Sequence, residues 1–129
     1  MPIAYTIGVR EVYFTIFSQR HAGDYRDGKI RMDCGVNSQR MLPEILIHEL
    51  AHHLDDEELL SDRPEIRAEK KLGSKFMEDK YAQTNIGEYV AVGFEVYYFG
   101  VEPEKESLRK HNPALYSAID EVHRKYSKM

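Results

Sequence analysis

The stretch Pro43-Glu-Ile-Leu-Ile-His48-Glu49-Leu50-Ala51-His52-His53-Leu54 decides how this chain is read. Ile45, Leu46, Leu50 and Leu54 recur at helical spacing, and Pro43 is tolerated in a first turn, so a helix with one apolar side is expected here. His48 and His52 are four residues apart, which on a helix puts both imidazoles on one face within reach of a single cation. Glu49 follows the first histidine directly, at the rim of the pair, where it handles a proton rather than the ion. Two imidazoles and a carboxylate, with a fourth position open, suit zinc. Such an ion acidifies water and polarises a carbonyl, and a neighbouring glutamate takes the proton. A solvated helix face rich in His and Glu is the bland alternative. It fits poorly with Ile47, Leu50, Ala51 and Leu54 around the pair.

Composition narrows the donors. The chain has 129 residues, 42% apolar and 31% charged, which predicts one domain over 1–129 with a modest core. Its single cysteine, Cys34, excludes an internal disulfide and any multi-cysteine zinc cluster. A metal must then be held by some of the six histidines and 22 carboxylates. Against those acids stand 18 basic residues, a net charge of −4 that offers no footprint for nucleic acid. Met1–Tyr5 lacks the basic and apolar regions of a signal peptide. The longest apolar stretch, Tyr89–Tyr98, contains Glu95 and falls short of the ~20 residues of a membrane helix. As it stands the chain reads as cytoplasmic with no membrane partner; as a trimmed piece of a longer one it would fit a secreted protein.

Outward from the helix, Val9–Phe17 is rich in β-branched and aromatic residues and predicts a strand. Gly23–Gly28 is turn chemistry. Lys29–Cys34 alternates Ile30, Met32 and Cys34 against Lys29, Arg31 and Asp33, a half-buried strand. Gly35–Ser38 breaks it. After the acidic stretch Asp55–Asp62, Pro64 opens a helix to Glu78 with Ile66, Leu72 and Phe76 inward. Asn85 or Thr84 caps another, ending near Phe99 before Gly100 and Pro103. Ser107–Lys128 is a last amphipathic segment, with Leu115, Ile119, Val122 and Tyr126 on one face and Pro113 interrupting it. The expected class is α+β: a small N-terminal twisted sheet, a helix bearing the histidines, then a helical C-terminal half.

A third ligand must come from elsewhere. Glu58 lies ten residues after His48, the metzincin spacing, but Asp55 stands where that pattern turns the chain with glycine. Glu88 and Glu95 are stronger candidates. They are seven residues apart, so they share a face yet lie about 10 Å apart along the axis, and only one can bind the metal. Glu88 also fits the third helical position of a capping box with Asn85, and Glu95 fits a buried acid bonded to a ligand histidine. Asp55, three residues after His52, is placed either to accept an imidazole N–H or to remain an exposed acid. His53 points about 100° away from His52 and reads as solvated or as a pocket wall. His21, His111 and His123 have no partner at ligand spacing and read as surface residues. Cys34 reads as a small buried hydrophobe before it reads as an inhibitory thiolate.

The stretch Tyr81-Ala-Gln-Thr-Asn85-Ile-Gly-Glu88-Tyr-Val-Ala91-Val-Gly-Phe94 resembles the ligand-helix motif of the lethal-factor-like zincins of anthrax toxin, a group that includes the Pro-Pro endopeptidases. That motif is a Tyr, a short Thr-Asn-rich turn and, seven residues on, Glu followed by an aromatic residue, Phe or Val, Ala, Glu, any residue and Phe. With the histidine pair, the resemblance covers about residues 20–100. It implies a minimal zincin-like metallopeptidase domain with one zinc ion, Glu88 as third ligand and Tyr81 as the phenol that stabilises the oxyanion. It also implies that Lys29–Cys34 is an edge strand along which a peptide or protein substrate lies. Two positions depart from the motif: Val92 replaces its second glutamate, and Ile86 a frequent proline. Glu95, one turn later, is placed to substitute for that glutamate. The reading from another class is a non-catalytic or latent metal-binding domain of the same fold, recognised by a closed fourth position on the metal.

Overall fold

The structure, a computed structural model, describes residues 1–15, 23–33 and 42–129. Its class is α+β, with a small mixed sheet and five helices. Three strands, β1 (Glu11–Thr15), β2 (Gly23–Arg26) and β3 (Lys29–Asp33), pair in the order β1-β3-β2. β1 runs parallel to β3 and β2 antiparallel to it. The alternation in β3 works as its sequence predicts: Ile30 and Met32 are buried while Lys29 and Arg31 are exposed.

Two expectations change here. Only Asp27 and Gly28 form the turn, both with positive φ (50° and 77°). Asp-Gly is the two-residue connection whose backbone twist matches a tight hairpin. Its closure folds Gly23–Arg26 back as a strand, in register with Lys29–Met32. Lys29–Cys34 is consequently not an edge strand, because Lys29–Asp33 is paired on both sides. Among the described residues the edges are β1 and β2. Cys34, His21, the end of the expected first strand at 16–17 and the break at 35–38 lie outside the described residues.

The helix α1 (Leu42–Glu58) buries Ile45, Ile47, Leu50, Ala51 and Leu54. It runs through the acidic residues Asp55–Glu58 and stops only at Leu59, whose φ of 54° is left-handed. Next comes α2 (Pro64–Gly73), followed by a 3-10 turn over Ser74–Phe76. Ile66 is buried as its spacing predicts, but Leu72 and Phe76 are 70% and 51% exposed. Six residues of helix place Leu72 about 240° round from Ile66, and the helix ends before Phe76.

α3 (Ile86–Phe99) is the central helix, with Glu88–Phe94 all buried, and it packs on α1, α4 (Glu102–His111) and α5 (Pro113–Ser127). Asn85 caps it as its position predicts, its Oδ1 accepting from the Glu88 N–H at 2.9 Å. The last amphipathic segment is two helices. One begins earlier than expected, at Glu102, and the chain breaks at Asn112 before Pro113. Leu115, Ile119, Val122 and Tyr126 are buried. The N-terminus of α5 is capped from outside: the Glu69 carboxylate of α2 accepts from Ala114 N–H at 2.8 Å and Leu115 N–H at 3.1 Å. No helix among the described residues is long and apolar enough to cross a membrane.

Candidate metal centre

One turn of α1 separates His48 from His52, and their rings meet edge to face with centroids 5.1 Å apart. Facing them is Glu88, in the first turn of α3, where the Asn85 cap fixes the backbone and the helix dipole favours a carboxylate. Its Oε1 lies 2.6 Å from Nε2 of His52 and its Oε2 3.4 Å from Nε2 of His48. Glu95 approaches the same His48 from behind, with Oε2 2.9 Å from Nδ1. The two glutamates left open by the sequence thus take different sides of one imidazole. Glu88 stands in front, against both histidines, and Glu95 orients the ring through its far nitrogen.

Glu49 is 4% exposed, with Oε1 3.9 Å from Nε2 of His48. Its Oε2 is buried with no hydrogen-bond partner among the described residues. Burial pushes its carboxyl up to about 7, against the pull of His48 and His52. His48 is raised too, against its burial: burial would lower it, but Glu88 and Glu95 outweigh that and hold it up at about 9. Burial likewise opposes ionisation of Glu88, and the two imidazoles overcome it, holding the carboxyl well below the ordinary range. Three carboxylates round two imidazoles are short of positive charge.

Such an arrangement could hold a cation. His48, Glu49 and His52 each offer a donor atom, all within 4.8 Å of one another. Glu88 adds oxygens facing both imidazoles: 3.4 Å to His48 is close to the separation of two ligands sharing a tetrahedral ion at about 2.0–2.2 Å, while 2.6 Å to His52 is a direct hydrogen bond that an ion would have to open. The residues therefore suit a divalent metal held by nitrogen and oxygen, and the orphaned Glu49 oxygen suits a polar group arriving from outside the chain.

The centre opens into a cleft of about 790 Å³. Tyr81 stands on its wall, on the 3-10 turn Lys80–Gln83, with its ring stacked on His48 at 6.1 Å between centroids. The opposite wall is β2 and its turn, Gly23–Asp27. Sequence reasoning missed this wall. The Asp-Gly dipeptide after Arg26 was the signal that a strand precedes the turn.

Other candidates fall elsewhere. The Asp55 carboxylate accepts from the Ser61 N–H at 2.6 Å and from its hydroxyl, so it closes the end of α1 instead of bonding a ligand imidazole. Glu58 accepts from Lys125 and Tyr126 of α5, both at 2.8 Å, away from the histidine pair. His53 is buried rather than solvated. His111 stacks on Phe76, and His123 bonds the Tyr98 hydroxyl at 2.8 Å. No family model, curated protein or solved structure matches this chain.

Proposed function

We propose that the chain is a zinc-dependent metallopeptidase with a zincin-like fold, in which His48, His52 and Glu88 hold one zinc ion. The observation that carries this reading is the buried Oε2 of Glu49, without a hydrogen-bond partner among the described residues, beside two imidazoles that already face a carboxylate. Leaving a buried acceptor unpaired costs about 1–3 kcal/mol, a cost borne without structural return. Bound there, zinc supplies Lewis acidity, acidifying water and polarising the carbonyl to be attacked.

The remaining work falls to side chains. Glu49 takes the proton of the attacking water on Oε2 and returns it to the leaving amine. Glu95 keeps the His48 ring turned so that Nε2 points to the cleft. Tyr81, beside His48, donates its phenol proton to the developing oxyanion. The substrate main chain lies along β2, which among the described residues is an edge strand and lines the cleft, in place of β3, paired on both sides.

Glu49→Gln tests the assignment, because the amide keeps the shape and loses the base. Zinc content should stay at one per chain while hydrolysis of labelled casein falls by about 100- to 10,000-fold. Unchanged turnover in that variant overturns the proposal. Zinc bound by the wild type without any hydrolysis would point instead to a non-catalytic metal-binding domain.

A further inference from the structure

One imidazole with no part in the proposed reaction ties three segments together. His53 follows His52 on α1, about 100° further round, and is 2% exposed. Its Nε2 lies 2.6 Å from the carbonyl oxygen of Ile7 and its Nδ1 3.0 Å from the Tyr25 hydroxyl. A carbonyl only accepts, so Nε2 carries the proton and Nδ1 accepts from the Tyr25 O–H. Gly8 lies against the same ring, where a Cβ would come within 3.0 Å of Cε1. The imidazole therefore fixes the N-terminal segment on one side and the cleft wall on the other.

The opposite end of β2 meets α1 without any side chain between. A Cβ on Gly23 would lie 2.8 Å from Cγ2 of Ile45 and 3.2 Å from Cγ of Glu49. β2 is thus seated on α1 at both ends, through Gly23 and through Tyr25, and the helix it is seated on carries His48, Glu49 and His52. A peptide added to the edge of β2 would have its distance from those three residues set by these two contacts.

We propose that Tyr25 and His53 are positioning residues that fix β2, through the hydroxyl–Nδ1 bond, as the substrate-bearing wall of the cleft. The clamp itself is a property of the fold, and its effect on substrate rests on the peptidase reading above. The bond also commits the Tyr25 phenol proton to His53, so this tyrosine does not serve a substrate oxygen although it lines the cleft.

Tyr25→Phe removes the bond and keeps the ring, whose edge-to-face contact with His53 has centroids 5.5 Å apart. Losing one hydrogen bond corresponds to a factor of about 2–10 in a local equilibrium. Amide hydrogen exchange over residues 23–26 of the full chain should speed up by about that factor, with exchange in α1 unchanged. On labelled casein, KM should rise by a similar factor while kcat and zinc content stay at wild-type values. His53→Gln should give the same pattern, and Tyr25→Phe keeps the test open if the histidine variant does not fold. Unaltered exchange over 23–26 in Tyr25→Phe, or a lowered kcat at unchanged KM, overturns the positioning role. A wild type that leaves casein intact breaks the peptidase reading alone, and the exchange measurement still decides the clamp.

Discussion

Glu49 and Glu69 are both helical carboxylates, one buried and one half-buried, and the chain treats them in opposite ways. Glu69 collects donors: the Tyr89 hydroxyl at 3.2 Å and the amides of Ala114 and Leu115. It joins α2, α3 and α5, so its charge is spent on architecture. Glu49 is buried among carboxylates, its pKa pushed up, with one oxygen that nothing in the described chain satisfies. Asn112 Oδ1, at the break between α4 and α5, is likewise buried without a partner among the described residues, so what sets Glu49 apart is its orphaned oxygen together with the two imidazoles beside it. The difference separates a joint from a site.

The contrast is broken most severely at the ligands. Glu88→Ala should abolish zinc binding, measured by metal analysis of the purified protein. Glu95→Ala should weaken zinc by about 10- to 100-fold, as removal of an orienting partner does. Loss of zinc in the Glu95 variant alone would exchange the roles assigned to these two residues. Glu69→Ala should do the converse, lowering stability by roughly 2–4 kcal/mol in urea unfolding while zinc stoichiometry is unchanged. A loss of metal in that variant would erase the distinction between joint and site.

The subtlest expectation concerns pH in the metal-free protein. Glu49 has a folded pKa raised from 4.5 to about 7, so the folded state prefers its proton. Its contribution is present below pH 4.5 and is lost as pH rises through 7. His48, raised from 6.5 to about 9, contributes stability that is present below pH 6.5 and lost as pH rises through 9. Glu88, shifted down, works the other way and loses its contribution on the acid side. The melting temperature of the apo protein should therefore decline from mildly acidic pH toward pH 9. Glu49→Gln should flatten the part of that decline between pH 4.5 and 7, and an unaltered profile would remove the burial argument for Glu49.

How much of this was legible depended on the distance over which each residue acts. The histidine pair and the Asn85 cap follow from helical periodicity, which acts within four residues and survives any packing. The roles of Glu88 and Glu95 were half legible. A shared helix face was readable, but two carboxylates approaching opposite nitrogens of one ring is a property of how α3 crosses α1. β2 was hidden because Gly-Asp-Tyr-Arg carries no β-branched residue; its strand character comes from pairing with β3. His53 was misread for a related reason: its partners Tyr25 and Ile7 are 28 and 46 residues away in sequence.

Those long reaches bear on how the molecule assembles. The helical half is closed by Glu69 to Ala114 and Leu115 across 45 and 46 residues and by Glu58 to Tyr126 across 68. The cleft depends on closures of the same reach, His53 to Ile7 across 46 residues and His48 to Glu95 across 47. Chain entropy is lost before such contacts form, which makes them late in folding. The clamp on β2 and the joint at Glu69 thus close over similar lengths of chain, and warming should open the cleft and the helical half together.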